Sequence, residues 1–72
     1  VALNGGKDGL DAYRSIIPKL RNIVKLHGKI FLEIGKGQEI FVTSIAEENG
    51  LSLKGYKKDL SGATRVLMFI IK

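Results

Sequence analysis

The chain contains no cysteine, one histidine and one proline among its 72 residues. Without cysteine it can form no disulfide, no thiolate metal site and no cysteine nucleophile. His27 alone is too few for a histidine-based metal site or for a Ser-His-Asp triad built around another histidine. These absences exclude several classes of enzyme site, and the lack of cysteine fits a reducing, cytoplasmic environment.

Long hydrophobic runs are also missing. The longest uninterrupted apolar stretch covers residues 66–71, whereas a membrane-spanning helix needs about 20 residues. The first residues, Val-Ala-Leu-Asn-Gly-Gly, lack the charged region and apolar run of a signal peptide, and they do not begin with methionine. We therefore expect no membrane association, and we expect a fragment that starts inside a longer chain.

The net charge of +5 comes from nine lysines and three arginines against seven acidic residues. The lysines are spread over every segment, and Lys57-Lys58 is the only adjacent pair. A nucleic-acid-binding surface would gather the charge on one face with aromatic residues between. The pattern favours ordinary solvated lysines. A small basic α/β module that binds RNA, the ribosome or an acidic protein is the alternative.

Glycines mark residues 1–9 as a loop, and the apolar residues that follow recur at steps of three and four, as in an amphipathic helix. Asp8 is a suitable N-cap for this helix, and Asp11 occupies the reciprocal capping position. Pro18 has no backbone N–H and clashes with the preceding turn, which predicts a kink or break near residues 15–18.

His27 and Gly28 predict the end of this first helical region. Glycine adopts the left-handed conformation without a steric cost, so Gly28 is the expected C-terminal cap. Residues 38–49 predict a second helix that stops at an Asn-Gly pair. Its inner face is expected to consist of Ile40, Phe41 and Ile45, with Val42 and Ala46 as further candidates.

Three segments predict strands. Residues 29–34 and Thr64–Ile71 are mostly apolar, as in strands that are covered on both faces, whereas residues 51–59 are lysine-rich, as in an edge strand. The hairpin at residues 60–63 makes the last two strands antiparallel and leaves the last strand in the centre. The first strand then keeps one apolar edge unpaired, and such an edge invites association.

Three blocks of sequence resemble one known family. The blocks are Ala-Leu-x-Gly-Gly-x-Asp-Gly-Leu-x-x-Tyr-Arg-x-Ile, Leu-Glu-Ile-Gly-x-x-Gln and Asp-Leu-x-Gly-x-x-Arg, and they span residues 2–65. Together, in this order and spacing, they resemble the HemK-type protein-(glutamine-N5) methyltransferases. The resemblance implies a class I S-adenosylmethionine-dependent methyltransferase. Its substrate is the glutamine of the Gly-Gly-Gln motif in peptide-chain release factors.

The resemblance also implies that residues 1–72 are one partial domain, the C-terminal third of the catalytic domain. Its α/β architecture would comprise the fifth strand, the reversed seventh strand in the centre and the sixth strand at the edge, with two to three helices. The glycine-rich turn and acid that hold S-adenosylmethionine, and the Asn-Pro-Pro-Tyr motif that grips the target amide, are not in this sequence. No catalytic or cofactor-binding residue is therefore expected here, and we expect the isolated chain to be inactive.

The expected partners are a release factor and the remainder of the methyltransferase domain, with self-association through the open strand edge as a further hypothesis. The residues expected on the substrate side are Gly5, Gly6, Asp8, Gly9, Glu33 and Gln38. Each has an alternative interpretation. The glycine loop is also compatible with a capped turn or, less well, a phosphate cradle. The carboxylate of Glu33 suits pairing with Arg65 or Arg14, and Gln38 suits capping of its own turn.

Other polar residues are expected to be structural. Arg14 is expected to pair with Asp11 or a neighbouring acid, and Asp59 with Arg65 across the hairpin. Tyr13 belongs to the apolar stripe of the first helix, so we expect it in the core.

Overall fold

The structure is a computed structural model that describes residues 9–72. Within them lie two helices and three strands: α1 (Asp11–Ile23), β1 (Lys29–Glu33), α2 (Glu39–Glu48), β2 (Leu51–Lys58) and β3 (Thr64–Ile71). The expected small α/β architecture is confirmed. The predicted N-cap Asp8 lies outside the described residues; inside them, Leu10 precedes α1 and makes no side-chain capping bond.

The three strands form one antiparallel sheet in the order β1–β3–β2. In β3, Leu67 lies opposite Leu32 of β1 and Tyr56 of β2, so the last strand is central, as predicted. Because β3 runs antiparallel to both neighbours, β1 and β2 run parallel to each other. Register shifts interrupt the pairing of β2 with β3 between Leu53 and Gly55 and between Lys57 and Lys58.

Both helices pack on the same face of the sheet. The buried apolar core consists of Leu10, Ile17, Ile30, Ile34, Val42, Ala46, Leu51, Leu67, Phe69 and Ile71. Phe69 is the largest of the fully buried side chains, and full burial of such a side chain stabilises the fold by about 1.5–3 kcal/mol. On the opposite face Phe31 is 66% exposed. The prediction that β1 is covered on both faces is therefore wrong within residues 9–72.

The sequence predicted a kink or a break near residues 15–18; helix α1 continues through Pro18, so a break is wrong. Ile17 is completely buried and Leu20 packs against the core, and these contacts on both sides of the proline hold the two halves in one helix. Tertiary packing here outweighs the cost of a missing backbone bond.

The end of α1 also differs from the prediction. The helix stops at Ile23, and Val24 is already extended. The residue in the left-handed region is His27, with φ of 65°, and not Gly28. Gly28 meets a different need: a Cβ there would lie 2.4 Å from Cγ1 of Val24, so glycine allows the close approach of the chain on itself.

The buried face of α2 consists of Val42 and Ala46, which were expected only as further candidates. Ile40 is 77% exposed and Phe41 58% exposed, so their predicted place on the inner face is wrong. Ile45 is partly buried against the core. Apolar residues surround most of this helix, and its position on the sheet decides which of them are covered.

Neither helix within residues 9–72 is long and apolar enough to cross a bilayer.

Candidate functional site

The side chain of Gln38 joins two separate backbone segments at the end of β1. Its Oε1 accepts a hydrogen bond of 2.8 Å from the N–H of Gly35, and its Nε2 donates one of 3.3 Å to the carbonyl oxygen of Gly9. These bonds connect the turn between β1 and α2 to Gly9, two residues before the start of α1. Gln38 is the N-cap residue of α2 but makes no side-chain capping bond to that helix, because its side-chain oxygen accepts from Gly35 in the preceding turn.

Tyr13 joins the same cluster from α1. Its hydroxyl donates a hydrogen bond of 2.8 Å to the carbonyl oxygen of Glu33 and lies 3.5 Å from Oε1 of Gln38. Partial burial of the phenol, followed by the nearby Glu33 carboxylate, raises the pKa of Tyr13, so the hydroxyl keeps its proton as a donor. The predicted place of Tyr13 in the core is confirmed in part, because the residue is partly buried and packs against the core. The one sequence feature that indicates this hydrogen-bonding role is the presence of a tyrosine hydroxyl in an otherwise aliphatic stripe.

Glu33 is exposed at the end of β1. Its carboxylate makes no hydrogen bond or ion pair within residues 9–72, so the expected partners Arg14 and Arg65 do not hold it. Those arginines instead form the other two expected pairs, with Asp11 and Asp59 respectively, each at 2.9 Å. Glu33 thus presents a solvated negative charge beside the Tyr13–Gln38 cluster.

The structure therefore brings Gly9, Glu33 and Gln38 together at one end of β1. The other residues expected on this side, Gly5, Gly6 and Asp8, lie outside the described residues. No group of three or more histidine, aspartate or glutamate side chains within residues 9–72 is arranged to hold a metal ion. The cluster offers hydrogen-bond donors, acceptors and one carboxylate, which suit the positioning of a polar chain better than bond-breaking chemistry.

A second feature has no counterpart in the sequence motifs. A groove of about 380 Å³ lies between α2 and the β2–β3 hairpin. It is lined by Glu39, Ile40, Thr43, Leu53, Tyr56, Lys58, Thr64 and Leu67. Among the described side chains, Oε1 of Glu39 is buried without a hydrogen-bond partner. Three elements distant in sequence form the walls, so no local pattern marks this groove.

Comparison with known proteins gives relatives over almost the whole chain. No family model matches it, and no solved structure matches it significantly. The bifunctional methyltransferase of Rickettsia felis is 45% identical over 69 residues, which are 96% of this chain and 13% of that protein. The release factor glutamine methyltransferase of Thermodesulfovibrio yellowstonii is 45% identical over 67 residues, 93% of this chain and 24% of that protein.

The release factor glutamine methyltransferase of Rhodospirillum rubrum is 40% identical over 67 residues, which are 93% of this chain and 21% of that protein. The chain thus spans less than a quarter of the length of each of these three relatives. At 36–45% identity, this chain matches a C-terminal fragment of the release factor glutamine methyltransferase family.

Proposed function

We propose that this chain is part of a methyltransferase that transfers a methyl group from S-adenosylmethionine to the side-chain nitrogen of a glutamine in peptide-chain release factors. The observation that carries the proposal is the 45% identity over 67 residues to a release factor glutamine methyltransferase. A match over 93% of the chain leaves little of it for an unrelated activity. A cytoplasmic location, where release factors act, follows from the same proposal.

We also infer that residues 1–72 form one partial domain of a class I methyltransferase sheet. In this placement β1 is the fifth strand, β3 the reversed seventh strand and β2 the sixth strand at the edge. The observed order β1–β3–β2 supports it, because β3 runs antiparallel to both of its neighbours. The exposed side of Phe31 and the open edge of β1 would then face the rest of the domain.

The described residues do not fit S-adenosylmethionine. The turn after β1 is the natural place for a ligand in such a sheet, but its Gly35 N–H is already bound by Gln38. The groove beside α2 is mainly apolar, and no glycine lines it. We therefore place the donor pocket in other parts of the protein, and the isolated chain should not methylate a release factor.

On the substrate side, Gln38 is the central positioning residue. It holds the segment at Gly9, which continues from the glycine loop containing Gly5, Gly6 and Asp8, against the end of β1. Glu33 lies beside it with a solvated carboxylate. This arrangement would fix Gly9 beside the end of β1, on the side that we propose meets the release factor.

A chimeric enzyme tests this function. The matching 67-residue segment of the Thermodesulfovibrio yellowstonii enzyme would be replaced by the aligned part of this chain, and glutamine methylation of a release factor measured by mass spectrometry. We expect the chimera to methylate and the isolated chain to be inactive. Gln38→Ala in the chimera should lower activity, whereas Leu60→Ala, at a fully exposed turn, should not.

A folded chimera that binds the donor but leaves the release factor unmethylated would contradict the proposed function. Methylation by the isolated 72 residues would contradict the inference that the donor pocket lies elsewhere. Circular dichroism of each protein separates these results from simple misfolding.

The alternative, a basic module for RNA or an acidic protein, has less support. Lys58 lies 5.9 Å from the ring centroid of Tyr56 on the helix-covered side, whereas Lys57 pairs with Val66 on the other face. The charges of β2 are thus divided between two faces and do not form one basic surface. Salt-dependent retention of RNA in a gel-shift series would revive this alternative.

A further inference from the structure

We propose that the groove between α2 and the β2–β3 hairpin receives an arginine side chain of the release factor, whose guanidinium group binds the buried carboxylate oxygen of Glu39. The inference rests on the proposed function, because it names a docking point for the substrate of that methyltransferase. Its chemistry, an arginine held by one carboxylate in a mainly apolar groove, can also be tested on this chain by itself.

The groove lies away from the edge of the sheet at which we place the rest of the domain. Its walls are α2, β2 and β3, and β2 is the strand farthest from the open edge of β1. Strand β2 carries Lys54, Lys57 and Lys58, all exposed, and register shifts interrupt its ladder. Exposed lysines and bulges are the usual means by which an outermost strand avoids further pairing. The groove is therefore on the outer flank of the sheet, and this chain supplies its walls.

The groove is at the same end of the sheet as the Tyr13–Gln38 cluster. Glu33 at the end of β1 and Lys57 near the end of β2 both pair with Val66 of β3, so the two outer strands end at the same level. Glu39, the acid of the groove, directly follows Gln38 in the chain. A release factor that meets the cluster therefore has the groove beside it.

The buried oxygen of Glu39 lacks a hydrogen-bond donor. Oε1 of this carboxylate is buried and has no hydrogen-bond partner among residues 9–72. A buried acceptor that has lost water without gaining a donor destabilises the protein. Glu39 lies in the first turn of α2, where a negative charge is favourable, but that interaction does not require a buried oxygen. A donor group from a bound partner would remove this cost.

A guanidinium group on an aliphatic stem matches the other walls of the groove. Ile40, Leu53 and Leu67 line it and can cover the methylene groups of an arginine. The guanidinium is planar and weakly hydrated, so it suits partly buried ion pairs and stacks on aromatic rings, such as that of Tyr56 in the same groove. A volume of about 380 Å³ is near the lower limit for small-ligand sites and suits one long side chain.

Lys58 is a competing cation in this groove. Its ammonium nitrogen lies 5.9 Å from the centroid of the Tyr56 ring. An incoming guanidinium meets this positive charge, and like charges repel. Removal of the Lys58 charge should therefore strengthen the binding of an arginine, whereas it should weaken the binding of an anionic ligand. Substitutions at Glu39 and Lys58 thus have opposite expected effects.

Kinetics of the chimeric enzyme test the docking point. Glu39→Gln keeps the shape of the side chain and loses its charge, and we expect KM for the release factor to rise about tenfold while kcat stays within about twofold. Lys58→Met should lower the same KM by up to about fivefold. Glu48→Gln makes the matched change at the exposed other end of α2 and should leave both constants unchanged.

A pair of probes tests the arginine on this chain directly. NMR would follow the backbone amides of Ile40, Thr43 and Tyr56 during titration with N-acetyl-arginine amide and with its uncharged isostere, N-acetyl-citrulline amide. We expect the arginine probe to bind with a dissociation constant of about 1–10 mM and the citrulline probe about tenfold more weakly. Glu39→Gln should remove the difference between the two probes. Far-UV circular dichroism would show that every variant is folded.

The two experiments separate this inference from the proposed function. An inactive chimera would contradict the proposed function, whereas the probe titration would still decide whether the groove binds arginine. Equal binding of the two probes, or a KM that rises in Lys58→Met, would overturn the cationic occupant. Arginine binding together with an unchanged KM in Glu39→Gln would overturn the assignment to the release factor, since the groove would then serve a different partner.

Discussion

The hydroxyl of Tyr13 donates a 2.8 Å hydrogen bond to the backbone carbonyl of Glu33, twenty residues later in the chain. This bond fixes the first turn of α1 to the last residue of β1. It also places the phenol next to Gln38, so one tyrosine connects the helix to the candidate substrate-side cluster.

Removal of that hydroxyl should destabilise the fold modestly. Tyr13→Phe keeps the ring and loses the bond, and we expect the free energy of unfolding to fall by about 0.5–1.5 kcal/mol. Urea denaturation measures this change in the free energy of unfolding. Tyr56→Phe is the matched control, because Tyr56 is exposed and its hydroxyl has no hydrogen bond within residues 9–72. Equal losses for both variants would mean that the Tyr13 bond contributes nothing specific.

Two substitutions separate the roles of Gln38. Gln38→Ala removes both ends of the amide and should expose the N–H of Gly35 to hydrogen exchange. Gln38→Glu keeps an acceptor for Gly35 but removes the donor to Gly9. We expect the Gly35 amide to stay protected in the glutamate variant and to exchange faster in the alanine variant, as followed by NMR. Loss of protection in both variants would contradict this division.

Gly28 should not tolerate a side chain. In Gly28→Ala the added methyl group would lie 2.4 Å from Cγ1 of Val24 and 2.9 Å from the carbonyl oxygen of Lys25. Forced repacking of this kind costs about 1–3 kcal/mol, which chemical denaturation would detect. Gly55→Ala is the control, since its methyl group would meet only Cε of Met68 at an ordinary 3.7 Å. A destabilisation by Gly55→Ala equal to that by Gly28→Ala would argue against a steric cause.

Asp59 should make the hairpin sensitive to acid. The hydroxyl of Ser61 and then the guanidinium of Arg65 donate to its carboxylate and hold the pKa of Asp59 well below its usual range. As the pH falls below about 4, the Asp59 carboxylate is protonated in the unfolded chain before it is protonated in the folded chain. The stabilisation that its hydrogen bonds give the fold is therefore present at neutral pH and declines as the pH falls. The stability difference between the native chain and Asp59→Asn should therefore shrink in acid.

An NMR titration of the Asp59 carboxyl carbon measures the same effect directly. Arg65→Gln should raise the pKa of Asp59 towards its usual range, because the one charged donor among its hydrogen-bond partners is lost. If the titration curve is unchanged in Arg65→Gln, the ion pair at 2.9 Å has no influence on this carboxylate.

Several features of the fold follow from local sequence. The unbroken apolar run in β3 requires burial between two other strands, and the lysines of β2 suit an edge, so the strand order could be predicted. Asp59 and Arg65 flank a short hairpin, and Asp11 and Arg14 are separated by one helical turn, so both ion pairs could be predicted from spacing alone.

The candidate site was predictable only in part. Gln38 and Glu33 stand out in a motif, and Gly35, whose N–H bonds to Gln38, lies only three residues before it. The bonds from Gln38 to Gly9 and from Tyr13 to Glu33 span 29 and 20 residues, and no periodicity reports contacts over such distances. The groove at Glu39 was not predictable for the same reason, since its walls come from three elements.

The sequence by itself determined the order of the helical and strand segments, the apolar edge of β1 and the motifs shared with the methyltransferase relatives, because these depend on composition and spacing along the chain. Tertiary structure decided that α1 continues through Pro18 and that Val42, rather than Phe41, faces the sheet. Both outcomes depend on a choice between packing arrangements whose local conformational free energies are similar. The arrangement that buries the most apolar surface on one shared face of the sheet prevails.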